Sequence, residues 1–308
     1  MFKKLAIRFF LLIPVLAGVS LVTFILISSV PGDPVYAMVG ERADEKLIDS
    51  YREKLGLNHG FFKRYVSYLI LIFKGDLGQS YYTGRPVGTE LVEKFPNTLF
   101  LAGSAVTFSL IFGLLLGIIG ALLRETWLDR MIMVGCTAFI SLPVFWYGML
   151  LVYFLSYTLR LLPSGGMDHP LAIVLPALTL GSRSMAYLAR LTRSCLVEIL
   201  NSPYILAVKA RGGGKRMIIR HSMINVMMPV ITFIGLDFGS YLNGSVLTET
   251  IFGWDGIGRY AIQGILRRDY PVILGTVLLG ASIFVLVNLL IDLSYMFINP
   301  RLRKSQGV

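Results

Sequence analysis

Cysteine, histidine and charge are all scarce in this chain of 308 residues. Of the two cysteines, Cys136 lies within an apolar run and Cys195 in a basic loop, so we expect no structural disulfide. The three histidines are scattered and lack the paired spacing of metal ligands, so we expect no metal site. Charged residues make up only 15% of the chain. That share is low for a protein with a fully water-exposed surface.

The chain also lacks recognisable catalytic and nucleotide-binding motifs. The stretch Gly212–Arg216 fails as a phosphate-binding loop, because position 209 is lysine where a glycine is needed. Arg216 stands where the magnesium-binding Ser or Thr would be. Nucleophile elbows and dinucleotide-binding glycines after a strand are missing as well. We therefore expect no ATP hydrolysis by this chain and no cofactor, and a membrane-embedded enzyme is disfavoured.

Hydrophobic residues, by contrast, make up 55% of the chain, and its mean hydropathy is +0.69. That is more apolar surface than one water-soluble core could use, so the composition indicates an integral membrane protein. The formal net charge of +11 could suggest nucleic-acid binding. The basic residues, however, sit in short loops beside apolar runs, which is typical of membrane topology, so no nucleic acid is expected as a partner.

Six segments are long and apolar enough to cross a hydrocarbon core of about 30 Å, which takes roughly 20 helical residues. An all-α integral membrane fold with six transmembrane helices is therefore predicted. The six predicted spans are Phe9–Val30, Thr98–Leu123, Met131–Leu159, Leu171–Leu191, Met227–Leu247 and Val272–Ile298. Prolines at Pro143, Pro176 and Pro229 predict kinks in a packed bundle.

The distribution of lysine and arginine predicts the orientation of these spans. The loop around residues 192–226, counted from Arg190, has seven basic residues and one acid, Glu198. Basic residues also accumulate at both termini and between the second and third spans, whereas residues 31–96 carry nine acids and nine bases. Because basic residues accumulate in cytoplasmic loops, both termini and the 192–226 loop are predicted to be cytoplasmic.

The chain therefore divides into four predicted parts. These are an N-terminal tail with the first helix (1–30), an extracytoplasmic segment (31–96), a core with five transmembrane helices (97–298) and a cytoplasmic tail (299–308). The apolar run Val66–Phe73 is too short to span and predicts an interfacial helix in an extracytoplasmic cap. A plain surface loop is the alternative.

Polar residues inside predicted spans are the candidates for lining a pore, because lipid exposure of such groups is costly. They are Asp237 and Asn243 in the fifth span and Asn288 in the sixth, whereas Asp292, near the basic cytoplasmic end, is interpreted as a structural ion pair or helix contact. Asp237 lies near mid-span in a glycine-rich helix, where a pore role and a packing role remain equally open.

The basic loop gives a sharper hypothesis. Ile199–Arg211 is predicted to form a short helix with Tyr204, Ala207 and Arg211 at helical spacing, ended by a glycine run. Small residues on an exposed helix permit close docking into a partner's groove, and the basic residues would orient that partner. The alternative is a solvated basic loop near anionic lipid headgroups.

At this loop the chain resembles the integral membrane subunits of ATP-binding-cassette (ABC) importers, through Ala207–Gly212 and the apolar-proline step Met227–Pro229. More narrowly, it is similar to the first permease subunit of dipeptide, oligopeptide and nickel importers. The further segments that carry this resemblance are Pro31–Pro34, Gly75–Ser80, Pro86–Val87, Pro96–Leu99, Glu249–Phe252, Asp269–Val272 and Val287–Leu289.

The resemblance implies a type I ABC importer permease fold and a pore-forming subunit of a prokaryotic plasma-membrane importer for di- or oligopeptides. It implies three kinds of protein partner besides membrane lipid: a second permease subunit, two cytosolic ATPases that bind the ATP, and an extracytoplasmic substrate-binding protein. The residues that it implies for ATPase docking are Tyr204, Ala207, Ala210, Arg211 and Gly212.

The chain departs from the family pattern at a few positions. Gly213 and Gly214 replace residues that ordinarily begin the next helix, Pro203 replaces a common acid, and Asp237 replaces an uncharged polar residue. Nickel-complex uptake by the same machinery is the runner-up function. An ion-gradient-driven secondary transporter is the alternative of a different class, although no internal repeat of the expected kind is visible.

Overall fold

The computed structural model describes residues 2–29, 34–40 and 43–298, so the predicted tail 299–308 and part of the Pro31–Pro34 segment lie outside it. The described residues form helices and no strands. The helices are α1 (Phe2–Ser29), α2 (Pro34–Val39), α3 (Glu45–Lys54), α4 (Phe61–Phe73), α5 (Val87–Leu122), α6 (Trp127–Ser141), α7 (Val144–Leu151), α8 (Val174–Leu200), α9 (Pro203–Ala210), α10 (Lys215–Leu242), α11 (Val246–Ile251), α12 (Ile257–Arg267) and α13 (Tyr270–Ile298).

Four of the described stretches are helices long and apolar enough to cross a membrane: Val87–Leu122, Pro170–Leu200, Arg216–Leu242 and Tyr270–Ile291. A fifth crossing results if α6 and α7 are counted as one bent span. In α1 the shorter stretch Pro14–Ser29 is apolar. The all-α membrane architecture is thus confirmed, whereas the number of six spans stays a prediction.

The predicted third span, Met131–Leu159, is not one continuous helix. It is broken between α6 and α7, which meet at an angle of 105°. Leu142 and Pro143 have extended backbone angles (ψ 134° and 129°) at this break. A proline disfavours the helical conformation of the residue before it, so Leu142 leaves the helix, and Pro143 directly precedes the first residue of α7. After α7 the chain continues as a π-helical stretch, Val152–Thr158.

The tightest packing in the bundle joins α5 to α8, and glycines make it possible. A Cβ atom added to Gly117 would lie 2.6 Å from Cβ of Thr192, and one added to Gly113 would lie 2.9 Å from Cβ of Leu188. Gly181 makes the reciprocal contact against the backbone of α5. The recurrent glycines of α5 therefore allow close helix approach.

These contacts also fix the directions of the helices. Successive contacts pair later residues of α5 with later residues of α8, so the two helices run parallel. Between α10 and α13, Gly235 packs on Ile291 and Gly239 packs on Val287, so these helices are antiparallel. As a result α9 and the α5–α6 turn lie at one end of the bundle, called here the loop end. Helices α11 and α12 lie at the opposite end.

Helix α4 has two apolar faces. On one face Tyr65 and Tyr68 pack against Phe24 of α1, with ring centroids 5.3 and 6.1 Å apart. On the other face Phe62 and Phe73 are 81% and 85% exposed. A short helix with an uncovered apolar face fits the predicted interfacial position, which stays a prediction.

Candidate functional site at the loop end and along helix α8

Helix α9 forms within the predicted Ile199–Arg211 region but begins later than predicted. Helix α8 continues to Leu200, so Ile199 belongs to α8, and α9 begins at Pro203. The carbonyl of Ser202 accepts bonds from the N–H groups of Ile205 (3.0 Å) and Leu206 (3.1 Å). A proline suits the first position of a helix because its N–H would have no helical partner there. The Pro203 departure therefore does not weaken α9.

The glycine run ends α9 with a specific backbone geometry. Gly212 has φ +78°, and the N–H of Gly213 donates to the carbonyl of Val208 at 3.0 Å. A left-handed residue followed by this bond is the Schellman type of helix end. Gly213 has no room for a side chain, since an added Cβ would lie 2.8 Å from the Val208 carbonyl oxygen. The glycines lie between α9 and α10 and weaken the interior of neither helix.

The five predicted docking residues lie together on the exposed side of this unit. Tyr204, Ala207, Ala210, Arg211 and Gly212 are all exposed. Ile205 is fully buried and anchors α9 to the bundle. The hydroxyl of Tyr204 lies 3.0 Å from Nδ1 of His221 on α10, and the two rings meet edge to face. The side chain of Tyr204 therefore ties α9 to the start of α10.

An ion pair braces the loop end next to α9. Nε and an Nη of Arg193 on α8 each donate to the carboxylate of Asp129 on α6 at 2.6 Å. Asp129 is buried and also accepts a bond from the N–H of Glu125 at 3.1 Å. Bidentate arginine–carboxylate pairs fix geometry as well as adding energy. Sequence reasoning placed Arg193 only among the basic loop residues and missed this brace.

Asp237 is half-buried and lies against α8. Its carboxylate lies near the side chains of Ser184, Tyr241 and Arg183. Ser184 and Tyr241 bond to each other, and the Tyr241 hydroxyl donates to the carbonyl of Leu180 at 3.0 Å. Asp237 thus belongs to a polar cluster between α8 and α10.

The other two pore candidates do not join that cluster. Asn243, at the end of α10, donates to the carbonyl of Gly239 at 3.2 Å and lines a cavity of about 550 Å³ between α1, α10, α12 and α13. Asn288 on α13 donates to the carbonyl of Phe284 at 2.8 Å. Both amides are therefore bonded within their own helices, and the structure does not bring the three candidates to one place.

Sequence reasoning missed a polar face on α8. Among the unbroken candidate spans, the one that contains α8 is the most buried, with 67% of its apolar part covered. Five of its side chains are nevertheless exposed and lie three or four residues apart along one face. These residues, called here the α8 stripe, are Arg183, Tyr187, Arg190, Ser194 and Glu198. The signal available in the sequence was an arginine, Arg183, within an apolar segment.

At the end with α11 and α12, Glu249 of α11 is fully buried and joins neighbouring helices through hydrogen bonds. Its carboxylate accepts bonds from Oγ1 of Thr98 (3.0 Å) and from the N–H of Arg259 (2.9 Å). Thr98 Oγ1 in turn accepts the N–H of Ile257 at 2.8 Å. Burial raises the pKa of the Glu249 carboxyl above its ordinary value. The cluster ties α5, α11 and α12 to one another.

A second tie at this end joins residues far apart in sequence. Asp269, which is buried, accepts bonds from the hydroxyl of Ser80 and from the N–H of Tyr81 (3.1 Å). An added Cβ at Gly78 would meet Pro271 at 3.4 Å. The segment Gly75–Ser80 therefore packs on Asp269–Val272, just as Pro96–Leu99 packs on Glu249–Phe252. Segments that carried the family resemblance separately are partners in space.

The architecture is that of a known class of membrane transport protein. The solved structures that this fold resembles include two of the inward-facing MetNI methionine ABC transporter. The TM-scores are 0.59 and 0.58 at 19% and 18% sequence identity, and the match covers 68% of this chain and 96% of the other in both cases. The fold is thus that of a type I ABC importer permease.

The chain belongs to the family of binding-protein-dependent transport system inner membrane components, which it matches over residues 113–304, with the corresponding N-terminal family over residues 1–102. One relative is the dipeptide transport system permease protein DppB of Alkalihalophilus pseudofirmus, at 37% identity over 96% of this chain and 98% of the relative. Another is the glutathione transport system permease protein GsiC of Escherichia coli K12, at 38% identity over 95% and 96%. A third, the di/tripeptide transport system permease protein DppB of Pseudomonas aeruginosa, is 37% identical over 99% and 100%.

Proposed function

We propose that this chain is a pore-forming permease subunit of an ABC importer that takes up short peptides. The observation that carries the proposal is end-to-end similarity to permease subunits named for dipeptide, di/tripeptide and glutathione transport. Glutathione is itself a tripeptide, so these relatives share one chemical class of cargo. Family membership also favours an ATP-driven importer over a secondary transporter.

The exposed unit formed by α9 and Gly212 is the proposed docking site for the ATPases. Tyr204, Ala207, Ala210, Arg211 and Gly212 offer an exposed surface in which three of five residues are small or lack a side chain. Such a surface fits into a groove, and Arg211 adds a charge that orients the partner. Ile205 and the Tyr204–His221 contact would transmit displacement of α9 to the bundle.

The basic residues near α9 support an orientation in which the loop end and both termini face the cytosol. Residues 31–96 would then lie outside, where a substrate-binding protein delivers cargo, in a bacterial type of plasma membrane. A second permease subunit would complete the pore as a heterodimer. ATP-driven closure of the two ATPases would push α9 and open the pathway to the outer side, and hydrolysis would reset it.

Co-purification in detergent with the candidate ATPases and second permease tests the docking site. Ala207→Arg and Gly212→Asp place bulk or an acid on the docking surface, and we expect both variants to lose the ATPases while retaining the second permease. Thr250→Arg is the control, because Thr250 is exposed at the opposite end. Retention of the ATPases by both docking variants would contradict the proposal.

Uptake by the reconstituted importer tests the cargo. Proteoliposomes that contain the four subunits and receive a loaded binding protein should accumulate radiolabelled trialanine when ATP is enclosed, and not when an ion gradient alone is imposed. Accumulation driven by the ion gradient without ATP would overturn the importer assignment. ATP-driven accumulation of a nickel complex without uptake of trialanine would overturn peptide as the cargo.

A further inference from the structure

The α8 stripe has no role in the function proposed above. Of the four unbroken candidate spans, the one that contains α8 is the most buried, at 67% against 22–39% for the others. All five exposed side chains along Val174–Leu200 are polar or amphipathic. From Arg183 to Glu198 the stripe extends about 22 Å along the helix. Lipid cannot be its environment, because an arginine near mid-span is costly in hydrocarbon. The stripe therefore faces water or protein.

Arg183 lies near the middle of the span. It is the fourteenth of the 31 residues of Pro170–Leu200, which places it about 20 Å from the start of the helix. Its guanidinium lies over the ring of Tyr187, 5.8 Å from the centroid. Within the described ranges it makes neither a hydrogen bond nor an ion pair. Its N–H donors are therefore free for a ligand.

The chemistry of Arg183 suits a carboxylate ligand. A guanidinium presents a planar fork of donors that matches a carboxylate in a bidentate arrangement. A peptide, which is the proposed cargo, carries a carboxylate at its C-terminus, so that group fits the fork of Arg183.

We propose that Arg183 binds the C-terminal carboxylate of the peptide as it passes through the pathway lined by the α8 stripe. The inference rests on the proposed function, since a peptide is the cargo that supplies this carboxylate. Tyr187 acts as a positioning residue, because its ring supports the guanidinium.

The experiment compares trialanine with its C-terminal amide in the reconstituted importer, with each peptide loaded on the binding protein beforehand. For Arg183→Gln we expect trialanine uptake to fall about tenfold relative to wild type, the loss expected for a charge-assisted bidentate contact. Uptake of the amide should stay within about twofold, because it has no carboxylate to lose. Arg183→Lys keeps the charge and should recover part of the trialanine uptake.

Arg190→Gln is the matched control. It removes the same charge from the same stripe about 10 Å nearer the loop end, and we expect little change in the ratio of the two uptakes. If Arg183→Gln and Arg190→Gln changed the ratio of the two uptakes equally, the overall positive charge of the pathway would explain the effect. That result would overturn a specific site at Arg183. Equal loss of both peptides in Arg183→Gln, or loss of the second permease on purification, would identify a structural contact and overturn it too.

The two proposals fail in different ways. If the wild-type importer accumulates neither peptide with ATP, the proposal that this chain transports peptides is wrong. If the wild type accumulates both peptides and Arg183→Gln leaves their ratio unchanged, the importer stands and the carboxylate site is wrong.

Discussion

The two ends of the helix bundle hold their short helices in different ways. At the end with α11 and α12, the fully buried Glu249 accepts bonds from Thr98 and from the N–H of Arg259, and the N–H of Ile257 donates to Thr98. At the loop end, α9 is held mainly by the buried Ile205, while most of its other side chains are exposed. One end is closed by internal hydrogen bonds, and the other presents a short helix with an open surface. The helix proposed to dock the ATPases is therefore one that leaves most of its surface uncovered.

Removing the buried carboxylate should break the closed end. Glu249→Ala leaves the Thr98 hydroxyl and the N–H of Arg259 without their partner. We expect a loss of about 3 kcal/mol in the free energy of unfolding, since unsatisfied buried groups are costly. The thermal unfolding midpoint in detergent measures it. Thr250→Ala, at the exposed next residue, should change little, and equal losses in the two variants would contradict the role given to Glu249.

Replacing Gly213 with alanine should destabilise α9 at the loop end without affecting the Glu249 cluster at the other end. In Gly213→Ala the new Cβ meets the Val208 carbonyl oxygen at 2.8 Å, whereas Gly214→Ala meets nothing within 4 Å. We expect a local cost of about 1–2 kcal/mol for the first variant from the steric conflict. Hydrogen exchange of the α9 amides measures it. Similar exchange rates in the two variants would show that the Gly213 geometry does not hold α9.

The stability of the end with α11 and α12 should depend on pH, because burial raises the pKa of the Glu249 carboxyl in the folded state. Burial makes the folded state bind this proton more tightly than the unfolded state, where the pKa is near 4.5. The resulting stabilisation is present below that value and is lost as the pH rises through the higher pKa of the folded state. We expect the unfolding midpoint of wild type, relative to Glu249→Gln, to fall as the pH rises from 4.5. A constant difference would contradict this.

The smallest effect is expected for the Tyr204 hydroxyl. Tyr204→Phe removes the 3.0 Å contact with Nδ1 of His221 but keeps the edge-to-face rings. Because both groups are partly exposed, we expect a loss of about 0.5 kcal/mol in the unfolding free energy and nearly unchanged ATPase retention on co-purification. Complete loss of the ATPases would instead mean that the hydroxyl contacts them directly.

Local features of the fold could be predicted from the sequence. The apolar runs located the long helices, and the glycine run located the end of α9, because helix length and helix ends depend on nearby residues. The break at Pro143 was predicted only as a kink. A proline shows where a helix can be interrupted, but the 105° angle depends on how α6 and α7 pack against α8.

The contacts within the sites could not be predicted. Ser80 and Asp269 are 189 residues apart, and Thr98 and Glu249 are 151 apart. No local pattern encodes such pairings. The candidates Asp237, Asn243 and Asn288 were selected as polar residues in spans, yet helix rotation turns Asp237 towards α8 and Asn243 towards a cavity beside α1. The same criterion, applied to arginine, would have found Arg183.

The bond between Ser80 and Asp269 links the segment that matches the N-terminal family to the segment that matches the C-terminal one. The two segments are therefore not interchangeable modules. A chimaera that takes one segment from a relative must bring a compatible surface at Gly75–Ser80 or Asp269–Val272 with it. Evolutionary exchange of either half between importers is subject to the same requirement.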